Sequence, residues 1–391
     1  MSTSSRTPLH SRFLPFLAAA AVVSGCNVDH SMEPQPAGPV CPSQGAALGE
    51  ADSAIAWYGP TEARDKRKLS EWCGTVGPSL IDSLPAPQYG AWTPEDSLAI
   101  VTWNVNVGGG DLELFLQEEL NLDCDGGRPL RRQGFSHFVL LLQEARRLSG
   151  AIPVVRDDRS VPPRIEPDPW PGEHRDVADI ARDCGLALFY VPSMRNGVVE
   201  TDGKREDRGN ALLSSLPLSD FIALELPFEG SRKVAVAATV LSQTGDSLRL
   251  VNLHLSVSST FYRTLMSGNS TRLRQAQGMT EALSIIEAQR SPQRVPSIAT
   301  VAGGDTNTWS DDETALQRLR IDFPDSPPSD GVTTRDPFPT DHVFFRQGAA
   351  QSIELIEGSY RTTERDYGSD HLARTVRLVI ENRRLGEGDR K

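Results

Sequence analysis

Short apolar segments of β-strand length recur along most of this chain and limit the folds that it can adopt. Polar or turn-forming residues bound these segments, as is typical of strands. Apolar residues at helical spacing lie between some of them, at Leu112, Phe115, Leu116 and Leu120 and again at Val177, Ile180, Ala181 and Cys184. Strands that alternate with helices predict an α/β protein built of layers. The strand-like segments are Leu98 to Trp103, Phe138 to Leu142, Leu186 to Val191, Ala211 to Leu213, Val234 to Val240, Leu248 to Leu255, Ile298 to Ala302, Val343 to Phe345 and Leu372 to Ile380.

Polar side chains that can bind a metal ion or carry a proton stand at the ends of six of these segments. Four segments finish with them, at Asn104, at Gln143 and Glu144, at Asn252 and His254, and at Asp305 and Asn307. Two later segments are instead preceded by them, at Asp341 and at Asp370 and His371. If the two later strands run antiparallel to the first four, all six ends meet on one rim. That arrangement requires a mixed sheet or a sandwich.

Each of these residues also has an ordinary structural interpretation. Asn104 suits a turn, Glu144 the region of a helix N-terminus, and His254 a hydrogen-bonded position in the core. Asp370 can form an ion pair with the nearby Arg374. The occurrence of all six ends together is what favours a functional site.

The stretch "VAGGDTNTW" (301–309) places two glycines between an apolar run and the pair Asp305 and Asn307. A strand that ends in an Asx turn would explain the stretch without any function. We expect instead that Gly303 and Gly304 end the strand in a sharp turn, because glycine tolerates dihedral angles that other residues avoid. The turn would carry Asp305 and Asn307 to the rim.

A family resemblance follows from seven motifs, "TWNVN", "LLQEA", "RGNALLS", "VNLHL", "GGDTNTW", "TDHVFF" and "GSDHLA". Over residues 97 to 382 the sequence resembles the endonuclease/exonuclease/phosphatase superfamily, whose pancreatic-type deoxyribonucleases show the same order of motifs. Abasic-site endonucleases, sphingomyelinases and inositol-polyphosphate phosphatases belong to it as well. The resemblance implies an α/β fold of four layers, a sandwich of two packed mixed β-sheets flanked by helices, with the site at one rim.

The resemblance also implies a role for each rim residue. A divalent metal ion, Mg²⁺ or else Mn²⁺ or Ca²⁺, would be held by Glu144, Asn104 and Asp341. Oxygen ligands of this kind suit Mg²⁺, which keeps several waters. The catalytic set would be His254 on the scissile phosphate, Asp305 on the attacking water, Asn307 on a phosphate oxygen, and Asp370 orienting His371.

The parts that would face the substrate match the family less well. We find no counterpart of the basic, aromatic loops with which abasic-site enzymes grip DNA, nor an aromatic hairpin of the sphingomyelinase kind. Arg195 and Arg232 are candidates for binding phosphate. Arg263 and Tyr262 lie in the segment 256–272, just after His254, and are further candidates, although a plain surface loop explains that segment equally.

The motifs predict a metal-dependent phosphoesterase that hydrolyses phosphodiester bonds, in particular a nuclease that acts outside the cytoplasm. An enzymatic alternative is a phospholipase C-like or phosphoinositide phosphatase activity on phospholipid head groups. An alternative of another class is a surface lipoprotein that keeps the fold only for binding. Loss of signature residues would favour that last class, and the six ends all retain theirs. We expect a monomer.

The first 25 residues have the features of an export signal. Arg6 and Arg12 precede the apolar run "FLPFLAAAAVV", which is too short to span a bilayer. "VVSGC" resembles the lipobox of bacterial lipoproteins, so we expect Cys26 to carry lipid and to anchor the protein to a membrane of the cell envelope. An ordinary signal peptide would make the protein secreted instead. Residues 26–50 would then form a flexible tether, 51–96 an extension packed on the domain, and 97–391 the domain itself.

Charge and cysteine content add two constraints. Removing residues 1–25 deletes two arginines and no acid, so the net charge falls from −12 to −14 and excludes broad attraction to polyanions. In an exported protein the four cysteines beyond Cys26 predict two disulfides, for which three pairings exist. Proximity in sequence favours Cys41 with Cys73 and Cys124 with Cys184.

Overall fold

A computed structural model describes residues 31–35, 54–124, 130–155, 160–167, 169, 171, 174–257, 269–290, 298–327, 331, 333–334, 338–349 and 352–380. The strands are β1 (Met32–Gln35), β2 (Ala56–Pro60), β3 (Leu80–Asp82), β4 (Leu98–Asn104), β5 (Leu122–Asp123), β6 (Leu130–Arg131), β7 (His137–Ser149), β8 (Ala187–Thr201), β9 (Lys204–Ser214), β10 (Ser219–Glu225), β11 (Val234–Leu241), β12 (Ser247–His254), β13 (Ala299–Asp305), β14 (Asp341–Arg346), β15 (Ile353–Leu355), β16 (Arg361–Thr362) and β17 (Arg374–Ile380). The α-helices are α1 (Ala63–Cys73), α2 (Leu112–Glu119), α3 (Val177–Asp183), α4 (Asn269–Arg290) and α5 (Thr314–Asp322), and a 3₁₀ turn covers Pro87–Tyr89.

Two large mixed sheets contain most of the strands. One has the order β1-β2-β10-β11-β12-β13-β14 and the other the order β15-β17-β4-β7-β9-β8-β3, with β16 paired to β17. Parallel pairs, β2 with β10 and β12 with β13 in the first sheet and β4 with β7 in the second, lie among antiparallel ones. A short hairpin of β5 and β6 stands apart from both sheets.

The core has three apolar layers that fix the order of sheets and helices. Side chains such as Ile100 and Leu141 of one sheet pack against Val236 and Leu250 of the other. On its outer face the β4 sheet is covered by α2 and α3, and the β12 sheet is covered by α4 and α5. Both helix pairs turn an apolar stripe inward, as amphipathic helices do. The predicted four-layered α/β sandwich is confirmed.

Strand direction brings the polar strand ends to one rim, as predicted. Strand β14 runs antiparallel to β13, and β17 runs antiparallel to β4. In the register of the first sheet, Asp305 stands opposite both His254 and Asp341. In the second sheet, Asn104 stands opposite Gln143. The site therefore forms where the ends of these two rows of strands face each other.

The two glycines before Asp305 do not end the strand, which corrects the expected sharp turn. Strand β13 runs through both of them to Asp305. A Cβ on Gly303 would lie 2.8 Å from Leu141 Cδ1 of the facing sheet, and a Cβ on Gly304 would overlap the Leu253 carbonyl oxygen. Close approach of backbone and neighbouring sheet is thus the reason for glycine here. The chain turns only afterwards, at Asn307, whose φ is 52°.

The segments before the predicted domain contribute strands to it. Residues 32–35, assigned from sequence to a flexible tether, form the edge strand β1, because their backbone pairs with β2. The segment 51–96 supplies β2 and β3, one to each sheet. Cys26 and the rest of the predicted tether lie outside the described residues. Within the described residues, no helix has the length together with the apolar character that crossing a bilayer demands.

One of the two predicted disulfides can be checked directly. Cys124 and Cys184 are bonded to each other, as proximity in sequence suggested. Cys124 directly follows β5 and Cys184 directly follows α3, so the bond joins two elements that are 60 residues apart in the sequence. Cys41 lies outside the described residues, so its pairing with Cys73 stays a prediction.

Candidate active site

Asp305, the last residue of β13, is the centre of the rim. Its side chain is buried, with 2% of the residue exposed. Oδ2 accepts a hydrogen bond from Asn104 Nδ2 at 3.0 Å, and Oδ1 accepts one from the Asn307 backbone N–H at 2.8 Å. Burial raises the pKa of Asp305 to about 6, although the positive charge of His371 and the two hydrogen bonds oppose the rise. The carboxylate is thus ionised at neutral pH, and it becomes protonated when the pH falls to about 6.

His371 is held by Asp341, not by the Asp370 that the sequence suggested. Its Nδ1 lies 2.7 Å from Asp341 Oδ2, whereas Asp370 Oδ1 is 4.0 Å from Nε2 and its side chain is half exposed. Burial alone would lower the pKa of His371, but the charge and hydrogen bond of Asp341, with Asp305 and Asp370, raise it to about 10. His371 is therefore an imidazolium at neutral pH. The correction follows from the fold, since β14 delivers Asp341 beneath the imidazole.

His254, at the end of β12, is the second imidazole beside Asp305. Its Nε2 lies 3.6 Å from Asp305 Oδ2, and the His371 Nε2 lies 3.9 Å from the same oxygen. Burial, followed by the positive charges of Lys233, Arg208 and His371, keeps the pKa of His254 well below its ordinary value. One imidazole is thus neutral and the other charged, on either side of one carboxylate.

Glu144 reaches the rim through an irregularity in β7. The register of β7 with β9 shifts between Leu142 and Ala145, and Glu144 has a left-handed φ of 53°. Such a bulge turns a side chain away from the direction that strand alternation would give it. Glu144 Oε2 accepts a hydrogen bond from Arg208 Nη1 at 2.8 Å. The strand then continues to Ser149.

The oxygen donors at the rim have the chemistry of a Mg²⁺ site. Glu144 and Asp341 supply carboxylates and Asn104 an amide oxygen. Asp341 Oδ1 is buried without a hydrogen-bond partner, as expected of an oxygen that a cation would satisfy. In the part of the chain that the structure describes, no three His, Cys, Asp or Glu side chains cluster as metal ligands. The residues fit a hydrated ion with few protein ligands, not a closed cage.

Comparison with known proteins adds an independent finding. The sequence pattern of the endonuclease/exonuclease/phosphatase family matches residues 101–371, which is more than half of the chain. The chain belongs to this family. The family consists of hydrolases that act on phosphoester bonds and generally use divalent metal ions. A comparison with curated proteins finds no significant match.

Several solved structures are similar to this chain at low sequence identity. An endonuclease/exonuclease/phosphatase from Beutenbergia cavernae DSM 12333 is 16% identical, covers 73% of this chain and 72% of its own, and has a TM-score of 0.44. The human nocturnin catalytic domain with bound sulfate anion is 14% identical, with 74% and 96% covered and a TM-score of 0.46. TDP2 from Caenorhabditis elegans is 13% identical, with 73% and 75% covered and a TM-score of 0.41.

Two of the arginines proposed from sequence to bind phosphate, Arg195 and Arg232, have other partners in the structure. Arg232 is buried and its guanidinium donates to Glu225 Oε1 at 2.6 Å and to the Pro192 carbonyl at 2.7 Å. Arg195 is also buried and donates to backbone carbonyls, among them that of Gly197 at 3.2 Å. Both guanidinium groups are used inside the protein. Arg263 lies outside the described residues and stays a prediction, as do the catalytic roles of the rim residues.

The structure adds residues that the sequence did not single out. Arg208 and Lys233 line a cleft next to Glu144 and His254. Burial lowers the pKa of Lys233 to about 8, although the charges of Glu144 and Asp305 oppose this. The family motif "RGNALLS" contains Arg208 and gave the only sequence signal for it, whereas the segment around Lys233 carried none.

Three polar residues at the strand ends, Gln143, Asn252 and Asn307, form hydrogen bonds that hold the fold together. Gln143 Nε2 donates to Asn252 Oδ1 at 2.7 Å, which links the two facing sheets below the rim. Asn252 Nδ2 in turn donates to the Leu142 carbonyl at 2.8 Å. Asn307 Nδ2 donates to the Leu255 carbonyl at 2.9 Å, so part of its amide is occupied by the protein. These bonds hold the two sheets at the spacing that the site needs.

Proposed function

We propose that this family member is a metal-dependent phosphoesterase that hydrolyses phosphodiester bonds. The observation that carries the proposal is the position of the Asp305 carboxylate, between a neutral His254 and a charged His371. Groups whose surroundings push their pKa values apart can act as base and acid at the same pH. Phosphoryl transfer to water needs both, together with positive charge on the phosphoryl oxygens.

The proposed roles follow from the contacts of each group. Asp305 orients a water molecule and accepts its proton, while the His371 imidazolium directs Nε2 toward a phosphoryl oxygen. Asp341 fixes His371 through Nδ1, which leaves Nε2 as the free donor. Glu144, Asn104 and Asp341 would hold a Mg²⁺ ion, which when bound supplies positive charge to the phosphoryl oxygens.

The test is a substrate panel for the protein without its first 25 residues. DNA, RNA, sphingomyelin and phosphoinositides are each incubated with Mg²⁺ and with EDTA, and the released products are measured. The proposal expects hydrolysis of at least one phosphodiester that stops in EDTA. Release of inorganic phosphate from phosphoinositides alone would favour the phosphatase alternative. No hydrolysis on any substrate would favour a protein that uses the fold for binding.

We also propose that the protein is exported and anchored to a membrane of the cell envelope through lipid on Cys26. The Cys124–Cys184 disulfide supports export, because disulfides persist mainly in oxidising compartments. The negative net charge of −12 makes non-specific adhesion to nucleic acid weak, so a polyanionic substrate would be held locally at the site. Extracellular nucleic acid is then the substrate that location favours.

A further inference from the structure

A cleft extends from the rim between the strands that carry Glu144 and His254. It has about 200 Å³ of empty space that is open to solvent. Besides these two residues, its walls include Ser193 of β8, Arg208 and Asn210 of β9, and Lys233 just before β11. A substrate group that enters this cleft would therefore touch both the candidate metal ligand and the candidate catalytic histidine.

Lys233 has an unusual position in this cleft, because the residue is almost fully buried and its ammonium group forms no direct ion pair with a described residue, although Glu144 and Asp305 lie near enough to act on its charge. Only 5% of the residue is exposed. Among the described residues its Nζ has no ion pair and no hydrogen bond, unlike the neighbouring Arg232, whose charge is balanced by Glu225. Burying a lysine this far without a direct partner costs free energy, so folding alone does not favour lysine here.

Arg208 adds a second cation with spare hydrogen-bonding capacity. Its Nη1 is bonded to Glu144, but its Nε is buried without a partner. The cleft thus contains two cations and one carboxylate, in a protein whose net charge is −12. Proteins commonly bind phosphoryl groups through N–H groups of lysine and arginine that have no other partner.

We propose that Lys233, assisted by Arg208, binds a phosphoryl group of the substrate in this cleft. That this group belongs to a phosphoester rests on the proposed function. The ability of the cleft to bind phosphate does not depend on it. Substrate binding would supply the direct ion-pair partner that Lys233 lacks in the free protein. Lysine at position 233 would therefore be kept for substrate binding at a cost to stability.

The test measures binding of inorganic phosphate without turnover. Isothermal titration in EDTA compares wild type with Lys233→Met, Lys233→Arg and the control Lys204→Met, an exposed lysine on β9. Lys233→Met should weaken phosphate binding by about tenfold or more, because a charge-assisted hydrogen bond is lost. Lys233→Arg should retain binding within a few fold, and Lys204→Met should match wild type.

Thermal unfolding supplies the second readout. Without phosphate, Lys233→Met should melt at the same temperature as wild type or higher, because the cost of desolvating the lysine is gone. Added phosphate should raise the melting temperature of wild type and of Lys204→Met more than that of Lys233→Met. If Lys233 only stabilised the fold, Lys233→Met would melt at a lower temperature than wild type without phosphate.

Two results would overturn the proposal, namely no phosphate binding by wild type or undiminished binding by Lys233→Met. If the methionine variant fails to fold, Lys233→Gln replaces it, with the same expected loss. Lys233-dependent phosphate binding in a protein that hydrolyses no substrate would reject the proposed function and support this subsite. Hydrolysis of a substrate together with phosphate binding that does not depend on Lys233 would support the proposed function and reject this subsite.

Discussion

At the scale of single residues, the two imidazoles beside Asp305 differ because their neighbours differ. His371 meets the carboxylate of Asp341 at 2.7 Å, and this pairing raises its pKa to about 10 against the cost of burial. Burial lowers the pKa of His254 well below the ordinary value, and the nearby cations Lys233 and Arg208 lower it further. The charge of each imidazole is thus set by its surroundings in the fold and not by the imidazole itself.

Replacing Asp341 tests this assignment through the pH dependence of turnover. If His371 acts as a cation, wild-type turnover at saturating substrate should not fall through loss of the imidazolium until the pH approaches its pKa of about 10. Asp341→Asn lowers that pKa toward 6.5, so the activity of the variant should fall as pH rises above neutrality. Below about pH 6 both should lose activity as Asp305 is protonated.

Asp370→Asn is the matched control for Asp341→Asn. Its carboxylate is half exposed and lies 4.0 Å from His371 Nε2, so its removal leaves the Nδ1 hydrogen bond intact. The pH–rate profile of this variant should follow that of wild type. If Asp370→Asn moved the alkaline limb more than Asp341→Asn did, the original assignment from sequence would be right after all.

At the scale of elements, the strands and the rim could be predicted because they follow from local patterns. Apolar runs located β4 and β13, and polar strand ends located Asn104, Asp305 and Asp341. The continuation of β7 to Ser149 could not be predicted, because it depends on a left-handed Glu144 within a polar stretch.

The hydrogen-bond and ion-pair partners of the site residues could not be predicted either. The fold decides which side chains meet, and proximity in sequence does not. His371 was assigned to the adjacent Asp370, but β14 brings Asp341 to it. Arg232 was assigned to substrate although Glu225, seven residues away, already neutralises it. Lys233 could not be identified from sequence, because its burial without a direct ion pair is visible only in three dimensions.

The glycine pair of β13 gives a prediction about packing. Gly304→Ala would drive a methyl group into the Leu253 carbonyl of the adjacent β12, and backbone cannot yield as a side chain can. We expect a loss of about 3 kcal/mol or more in the free energy of unfolding, measured by urea titration.

Gly74→Ala is the control for Gly304→Ala. Its φ is −64° and the nearest atom to an added Cβ, Ser70 O, is 3.7 Å away, so that variant should be unchanged or slightly more stable. Equal stability of Gly304→Ala and wild type would refute the close-approach explanation.

At the scale of the whole molecule, the disulfide ties the α2 and α3 side of the sandwich together. Cys124 and Cys184 close a loop of 60 residues that includes β7. Replacing both with alanine should lower the free energy of unfolding by about 2 to 5 kcal/mol. Urea unfolding of wild type and the double variant measures this directly. Wild type with added reductant should shift in the same direction, and an unshifted midpoint in both would speak against a stabilising bond.

Anchoring is also a property of the whole molecule, and Cys26 is its proposed origin. Cys26→Ser should move the protein from the membrane fraction to the soluble fraction or leave it unprocessed, because the acyl chains that hold it would be missing. Fractionation followed by mass measurement of the mature N-terminus distinguishes these results. Membrane-bound, processed protein in the serine variant would reject the lipid anchor.

The central claim is that Asp305 performs proton transfer in phosphodiester hydrolysis, and the turnover number of Asp305→Asn tests it most directly. The assay uses a diester that wild type hydrolyses, at saturating Mg²⁺, with circular dichroism to confirm folding and the exposed Asp202→Asn as control. We predict that Asp305→Asn lowers turnover by about 100 to 10,000-fold while Asp202→Asn does not. A folded Asp305→Asn variant as active as wild type would contradict the account.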